Sequence, residues 1–336
     1  MEFKALGKSN LRVSVIGFGG IPIQRVNLIE VKELLLKAQE KGINFIDSAR
    51  GYSVSEEYIG EALVGKRENW ILASKSMARD KTSMERDLKI SLKNFRTGYI
   101  DLYQLHNIKT EEELKLVLSE NGAYSALLEA KEKGEIGHIG ITSHSIDLLK
   151  IAIETGYFET IMYPYNIVEN QAEELFSRAH QLNIGVIAMK PMAGGAIIDG
   201  KLALKYILKN PSVTMAIPGM ATLEEVEENT SIVGDNSSLS QEEIERINKI
   251  SEELTGNFCR RCGYCGPCKQ KIDIPSMFLM SGYKNRYNLG TWAEERYFAQ
   301  ALRAKDCVEC GVCEEKCPYG LPIMDMLKEV RVTFKE

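Results

Sequence analysis

The sequence predicts a (β/α)8 (TIM) barrel followed by a small cysteine-bearing domain, on three observations. Strand-like apolar runs alternate with amphipathic helical runs eight times within about 230 residues, the length and rhythm of such a barrel. The GxGxxG turn expected of the rival, a doubly wound open sheet, is missing, because Gly17-Phe18-Gly19-Gly20 is glycine-rich but differently spaced. All eight cysteines fall between Cys259 and Cys317. That separates a barrel over residues 1–255 from a second domain over 256–336.

The elements follow in order. Residues 3–15 read as a short hairpin leading into the first strand, 13–20. The first helix, 28–41, places Leu28, Val31, Leu34, Leu35 and Ala38 at helical spacing, and Gly42 stops it. Strands at 43–47, 70–75, 99–106, 136–142, 160–165, 184–190 and 213–217 come next. Their helices are expected at 56–64, 84–95, 124–133, 146–154, 172–182, 203–209 and 223–229, with a charged insertion ahead of residue 124. A helix over 240–254, with Leu239, Ile244, Ile247, Ile250 and Leu254 on one face, is expected to pack against the barrel and to lead into the second domain.

With 44% hydrophobic residues and a formal net charge of -5, the chain reads as an ordinary globular protein. It has no basic excess and no Lys/Arg run interleaved with aromatics, so no nucleic-acid partner is expected. The start of the chain lacks a charged-then-apolar leader, and no apolar run approaches membrane-spanning length, so a cytoplasmic protein without a membrane partner is expected.

Three strand ends carry reactive residues: Asp47 closes 43–47, Lys75 closes 70–75 and His106 closes 99–106. Tyr52 lies five positions beyond Asp47. Barrel strands present their C-terminal ends on one face, so these four residues converge there. An unperturbed tyrosine titrates near 10, too high for efficient proton transfer at neutral pH. A lysine ammonium beside it stabilises the phenolate, and a carboxylate keeps that lysine charged and positioned. A histidine can orient a carbonyl oxygen toward the tyrosine. Taken singly, an Asp-Lys pair is more often a structural ion pair, and one histidine at a strand end is unremarkable.

Together the four resemble the catalytic tetrad of the aldo-keto reductase family. The resemblance extends through Leu6-Gly7, Val13 to Gly19, Gly134 to Ile141, Ile217-Pro218-Gly219 and Glu228-Asn229. It implies a nicotinamide cofactor, NAD(H) or NADP(H), across the barrel mouth and a small carbonyl substrate. Carried over by position, the cofactor side comprises Gly19, Gly20, Ser143, His144, Met162, Met189, Lys190, Gly219, Glu225, Glu228 and Asn229. Ser143 and His144 fall where the family has a Ser-Asn pair, Met162 replaces a glutamine, and Met189-Lys190 replaces a stacking aromatic. Glu225 stands where many members place an arginine for the 2'-phosphate. A carboxylate repels that phosphate and suits a ribose hydroxyl, which leans the expectation toward NADH.

The cysteines form two runs, Cys259-x2-Cys262-x2-Cys265-x2-Cys268 and Cys307-x2-Cys310-x2-Cys313-x3-Cys317-Pro318. The second run resembles the bacterial ferredoxin pattern, proline included. By that resemblance the C-terminal domain is ferredoxin-like, small and mainly helical, with two 4Fe-4S clusters. One would be held by Cys259, Cys262, Cys265 and Cys317, the other by Cys307, Cys310, Cys313 and Cys268, since each fourth cysteine serves the other cluster. The first run departs from the pattern in its last gap and in Lys269, where proline is usual. Zinc is the alternative that CxxC pairs leave open, although consecutive CxxCxxC runs crowd too many thiolates for a ribbon. The aromatics between the runs read as the domain's own core.

Residues 256–336 hold 13 Lys and Arg against 10 Asp and Glu. A mildly basic domain can dock an acidic external electron carrier of ferredoxin or flavodoxin type, but a difference this small is usually just a solvated surface. The expected activity is reduction of an aldehyde or ketone with nicotinamide hydride, linked to iron-sulfur electron transfer. Clusters pass single electrons while nicotinamide gives two, and a flavin is the usual mediator. No flavin motif is present, so three alternatives stay open: a flavin at the barrel mouth, clusters feeding single electrons to substrate, and a non-catalytic redox subunit.

Overall fold

The computed structural model describes the whole chain apart from Asn236, Asn257, Cys262, Pro318 and the side chain of Thr255. It divides into two compact units. The first comprises Met1–Asn166, Asn170–Pro191 and Asp199–Ser238, and the second Ile167–Glu169, Met192–Ile198 and Leu239–Glu336.

The first unit opens on an antiparallel hairpin of β1 (Phe3–Ala5) and β2 (Arg12–Ser14). Eight parallel strands follow: β3 (Phe18–Gly19), β4 (Phe45–Asp47), β5 (Ile71–Ser76), β6 (Ile100–Leu105), β7 (Ile136–Thr142), β8 (Thr160–Pro164), β9 (Gly185–Met189) and β10 (Met215–Ile217). Each pairs with its neighbour in sequence. Bonds from Gly17 N to Ala216 O and from Gly19 N to Pro218 O, both 2.8 Å, draw the two edge strands into a nearly closed barrel. Only glycine fits at position 19, because a Cβ there would lie 2.8 Å from Pro218 O. The predicted eight-unit barrel is therefore present. Its first strand is shorter than the apolar run suggests, since Val13 and Ser14 pair with β1 instead.

Side chains two apart on a strand share a face. Phe45, Ala73, Leu102, Met162, Ile187 and Met215 point inward and pack with Leu6 and Val13 of the hairpin. Each fully buried aliphatic side chain in this cluster stabilises the fold by about 1.5–3 kcal/mol relative to exposure. The hairpin is pinned at the N-terminal end of the strands by an antiparallel bridge from Gly7 to Ile184, just ahead of β9. Gly7 has φ +56°, and a Cβ there would meet Gly185 N at 2.2 Å. That leaves the opposite end of the barrel for chemistry. The charged insertion after β6 contains a helix, Glu111–Val117, capped by the Thr110 hydroxyl and carrying three glutamates in its first turn.

The second unit is mainly helical, with helices Gln241–Thr255, Ile274–Asn285, Gly290–Phe298, Val312–Glu315 and Ile323–Phe334. The helix after Ser240 groups with this unit rather than with the barrel. Aromatics between the cysteine runs do pack in a core: Tyr283 lies edge-on against Trp292 at 5.0 Å, and Tyr297 stacks at 3.8 Å on Phe334 of the C-terminal helix. Among the described residues no helix is long and apolar enough to cross a membrane.

Candidate active site and cysteine centre

The alternation that points Phe45, Ala73 and Leu102 into the barrel also points in the residues two further on. Asp47, Lys75 and Gln104 therefore form the next layer toward the strand C-termini, with Lys75 opposite Gln104 in the register, and His106 follows β6. The Lys75 ammonium bonds directly to Asp47 Oδ2 and donates to Ser48 O at 2.8 Å. Gln104 Nε2 donates to Asp47 Oδ1 at 3.2 Å. Asp47 is 3% exposed and Lys75 2%, so each charge depends on the other and on these bonds. Burial pushes the Asp47 carboxyl up from the usual carboxylate range, opposed by the Lys75 ammonium and the Gln104 amide.

Tyr52 stands over this layer. The Lys75 ammonium lies 5.0 Å from the centroid of its ring, and the His106 ring meets it edge-on at 6.2 Å and 87°. Asp47, Lys75 and His106 at the strand ends and Tyr52 on its loop are thus in one place. Burial pushes His106 well below the ordinary histidine value, reinforced by Lys75, Arg79 and Lys190, so its ring is neutral at pH 7. Its Nδ1 is buried with no partner among the described residues, which leaves Nε2 as the nitrogen for a ligand.

The loop carrying Tyr52 is held from behind. Ser48 Oγ donates to Ser55 Oγ at 2.8 Å, and Ser55 Oγ to Gly20 O at 2.9 Å. Arg50 pairs at 2.6 Å with Glu56, a fully buried carboxylate that also accepts from Ser74 Oγ at 2.6 Å and Ser91 Oγ at 2.7 Å. Sequence reasoning passed over Gln104, Arg50 and Glu56. Gln104 had a signal, its position two residues before His106 on an inward face, whereas the partners of Glu56 come from separate elements and leave no local trace.

The residues carried over to the cofactor side are in several states. Ser143 is buried, with its hydroxyl donating to Ile108 O at 2.6 Å and accepting from Ser145 N at 3.0 Å. His144 Nδ1 lies 2.9 Å from Asn107 Oδ1. Met162 is 1% exposed and belongs to the interior cluster, and Met189 packs against it. Lys190 has φ +57°, and its carbonyl accepts from Asn166 Nδ2 at 3.0 Å. Gly19 and Gly20 are buried, Gly19 is bridged to Gly219, Glu228 is exposed and Asn229 is buried.

Glu225 differs most from expectation. Its carboxylate accepts from Ala221 N at 2.5 Å and Thr222 N at 3.2 Å, while Thr222 Oγ1 accepts from Glu225 N at 3.1 Å. This is a capping box on the helix Leu223–Thr230. The spacing Thr222-x-x-Glu225 is its sequence signature, so the carboxylate is engaged by its own helix.

Seven of the eight cysteines are described, all unbridged; Cys262, like the motif's Pro318, lies outside the described residues. They line two pockets of the second unit. Cys259, Cys265 and Cys317 line one, with Arg260, Phe278 and Tyr319. Cys268, Cys307, Cys310 and Cys313 line the other, where Cys265 also contributes to the wall. The thiols are spread around these pockets: among the described residues no three His, Cys, Asp or Glu side chains gather to hold a single metal ion. Four thiolates disposed around a space suit a multi-iron cluster.

Two family models match the chain. Residues 15–202 and 199–252 match the Aldo/keto reductase family, and residues 258–322 match the 4Fe-4S dicluster domain. An uncharacterized oxidoreductase of Bacillus subtilis, YqkF, is 24% identical over 75% of this chain and 97% of its own length. L-galactose dehydrogenase of Arabidopsis thaliana is 26% identical over 76% and 95%. Among solved structures, the holo form of aldo-keto reductase AKR11C1 from Bacillus halodurans superposes with a TM-score of 0.65 at 26% identity, covering 74% of this chain and 96% of that one.

Proposed function

The chain belongs to the aldo/keto reductase family, and from that premise we propose that it reduces an aldehyde or ketone to the alcohol. A nicotinamide cofactor, when bound, supplies the hydride. Tyr52 donates the proton to the carbonyl oxygen, the Lys75 ammonium held by Asp47 favours the phenolate left behind, and neutral His106 orients that oxygen through Nε2. The observation that carries this reading is the Lys75 ammonium bonded to Asp47 and 5.0 Å from the Tyr52 ring. With Glu225 engaged in its cap, that carboxylate favours neither NADH nor NADPH. Tyr52→Phe is expected to lower kcat by about 10²–10⁴-fold with nucleotide binding retained; unchanged turnover of a panel of aldehydes and ketones overturns the assignment.

The sorting of the thiols into two pockets favours a second element, two 4Fe-4S clusters that link the enzyme to a one-electron carrier of ferredoxin or flavodoxin type. Anaerobic purification with iron, sulfide and flavin analysis tests it. About eight irons per chain are expected, and NADH that bleaches the cluster absorbance, or a copurified flavin, makes the enzyme carrier-linked. Iron-replete protein that NADH leaves unbleached, without flavin, confines the barrel to hydride transfer. Zinc in place of iron removes the electron-transfer role.

A further inference from the structure

Arg260 is a buried cation with a fixed address. It is 6% exposed and lines the pocket of Cys259, Cys265 and Cys317. Its Nε donates to Val168 O at 3.0 Å, and its guanidinium stacks over the Tyr319 ring at 4.0 Å. Tyr319 lies two residues beyond Cys317 and lines the same pocket, so the side chain spans the two segments that bring these thiols together. The neighbouring Arg261 pairs at 2.6 Å with Glu169, itself 1% exposed, and donates to Cys259 O at 3.1 Å. The other pocket has Lys269 on its wall, an exposed residue whose charge water screens. Among the described residues, the wall of the Cys259 pocket thus carries a desolvated guanidinium, whereas the charge on the other wall is exposed.

We propose that Arg260 raises the reduction potential of the cluster in the Cys259 pocket and so sets it apart from the other. The inference rests on the reading that these thiols hold a 4Fe-4S cluster. Reduction adds one electron to a centre already made negative by its thiolates; the electron comes from an external one-electron donor, and no proton or protein bond changes. The product is one unit more negative, and a fixed guanidinium in a low-dielectric wall stabilises it more than the oxidised form. The charge is part of the wall before the electron arrives, so no reorganisation is needed at that moment.

The test is an anaerobic dithionite titration of the full chain, followed by electron paramagnetic resonance, on wild type, Arg260→Gln, Arg260→Met and Arg260→Lys, with iron counted on each sample. One of two one-electron waves is expected to move negative by at least tenfold in equilibrium constant, about 59 mV, in the neutral variants that retain iron, and the other to stay. Arg260→Lys, which keeps the charge, is expected to stay within about threefold of wild type, as is Lys269→Gln. Iron-replete neutral variants with both waves unmoved, a shift as large in Arg260→Lys, or loss of iron from every neutral variant would each overturn the proposal. A wild-type chain that binds no iron refutes instead the cluster reading beneath it.

Discussion

Replacing Lys75 with methionine, similar in length but uncharged, exposes the energetics of the layer it belongs to. The variant leaves the Asp47 carboxylate 3% exposed with only the Gln104 amide, at 3.2 Å, from its present side-chain partners. Removing one member of a buried ion pair typically costs about 3–5 kcal/mol. Asp47 can limit that cost by taking up a proton, since burial already pushes its carboxyl up. At pH 7, protonating a group whose unfolded value is near 3.9 costs about 4 kcal/mol, so the loss has a ceiling of about that size. The folded variant then holds a proton that the unfolded chain lacks, so its deficit should shrink by about 1.4 kcal/mol for each pH unit between 7 and 5. Urea unfolding reads this out. Of the two tryptophans, Trp70 sits 2% exposed just ahead of β5 and reports on the barrel in a Trp292→Phe background. The double variant Asp47→Asn/Lys75→Met should recover all but roughly 1–2 kcal/mol, the residue being the lost bond to Ser48 O. A deficit in Lys75→Met below about 1 kcal/mol, or one that grows as pH falls, refutes the argument.

Three further outcomes concern the same site and the pockets. Because burial disfavours the charged ring, the unfolded chain binds a proton at His106 that the native chain does not, so stability should fall as pH drops through about 6.5, and this dependence should be missing from His106→Asn. The kcat/KM profile should likewise lack an acid limb near the ordinary histidine value; such a limb, lost in His106→Asn, contradicts a ring kept neutral by burial. Cys317→Ser should remove about half the iron and leave one electron paramagnetic resonance signal, and Cys268→Ser should leave the other. Identical residual signals in the two variants would mean that the thiols do not sort as their pockets do.

Much of this molecule could be read from local pattern. The strand ends at Asp47, Lys75 and His106, the eight-fold alternation and the cysteine spacings are properties of neighbouring residues, and hydrophobic period and chain direction report on neighbours. The capping box at Thr222 and Glu225 was equally local, and its spacing competes with a nucleotide-binding role for that carboxylate. What tertiary structure decided is which distant groups share a charge. Gln104 reaches Asp47 across the one intervening strand, Glu56 gathers Arg50, Ser74 and Ser91 from separate elements, and Arg260 joins the wall behind Cys317 through Tyr319. Desolvation makes these contacts strong, and desolvation belongs to the packed interior, which no stretch of sequence possesses alone.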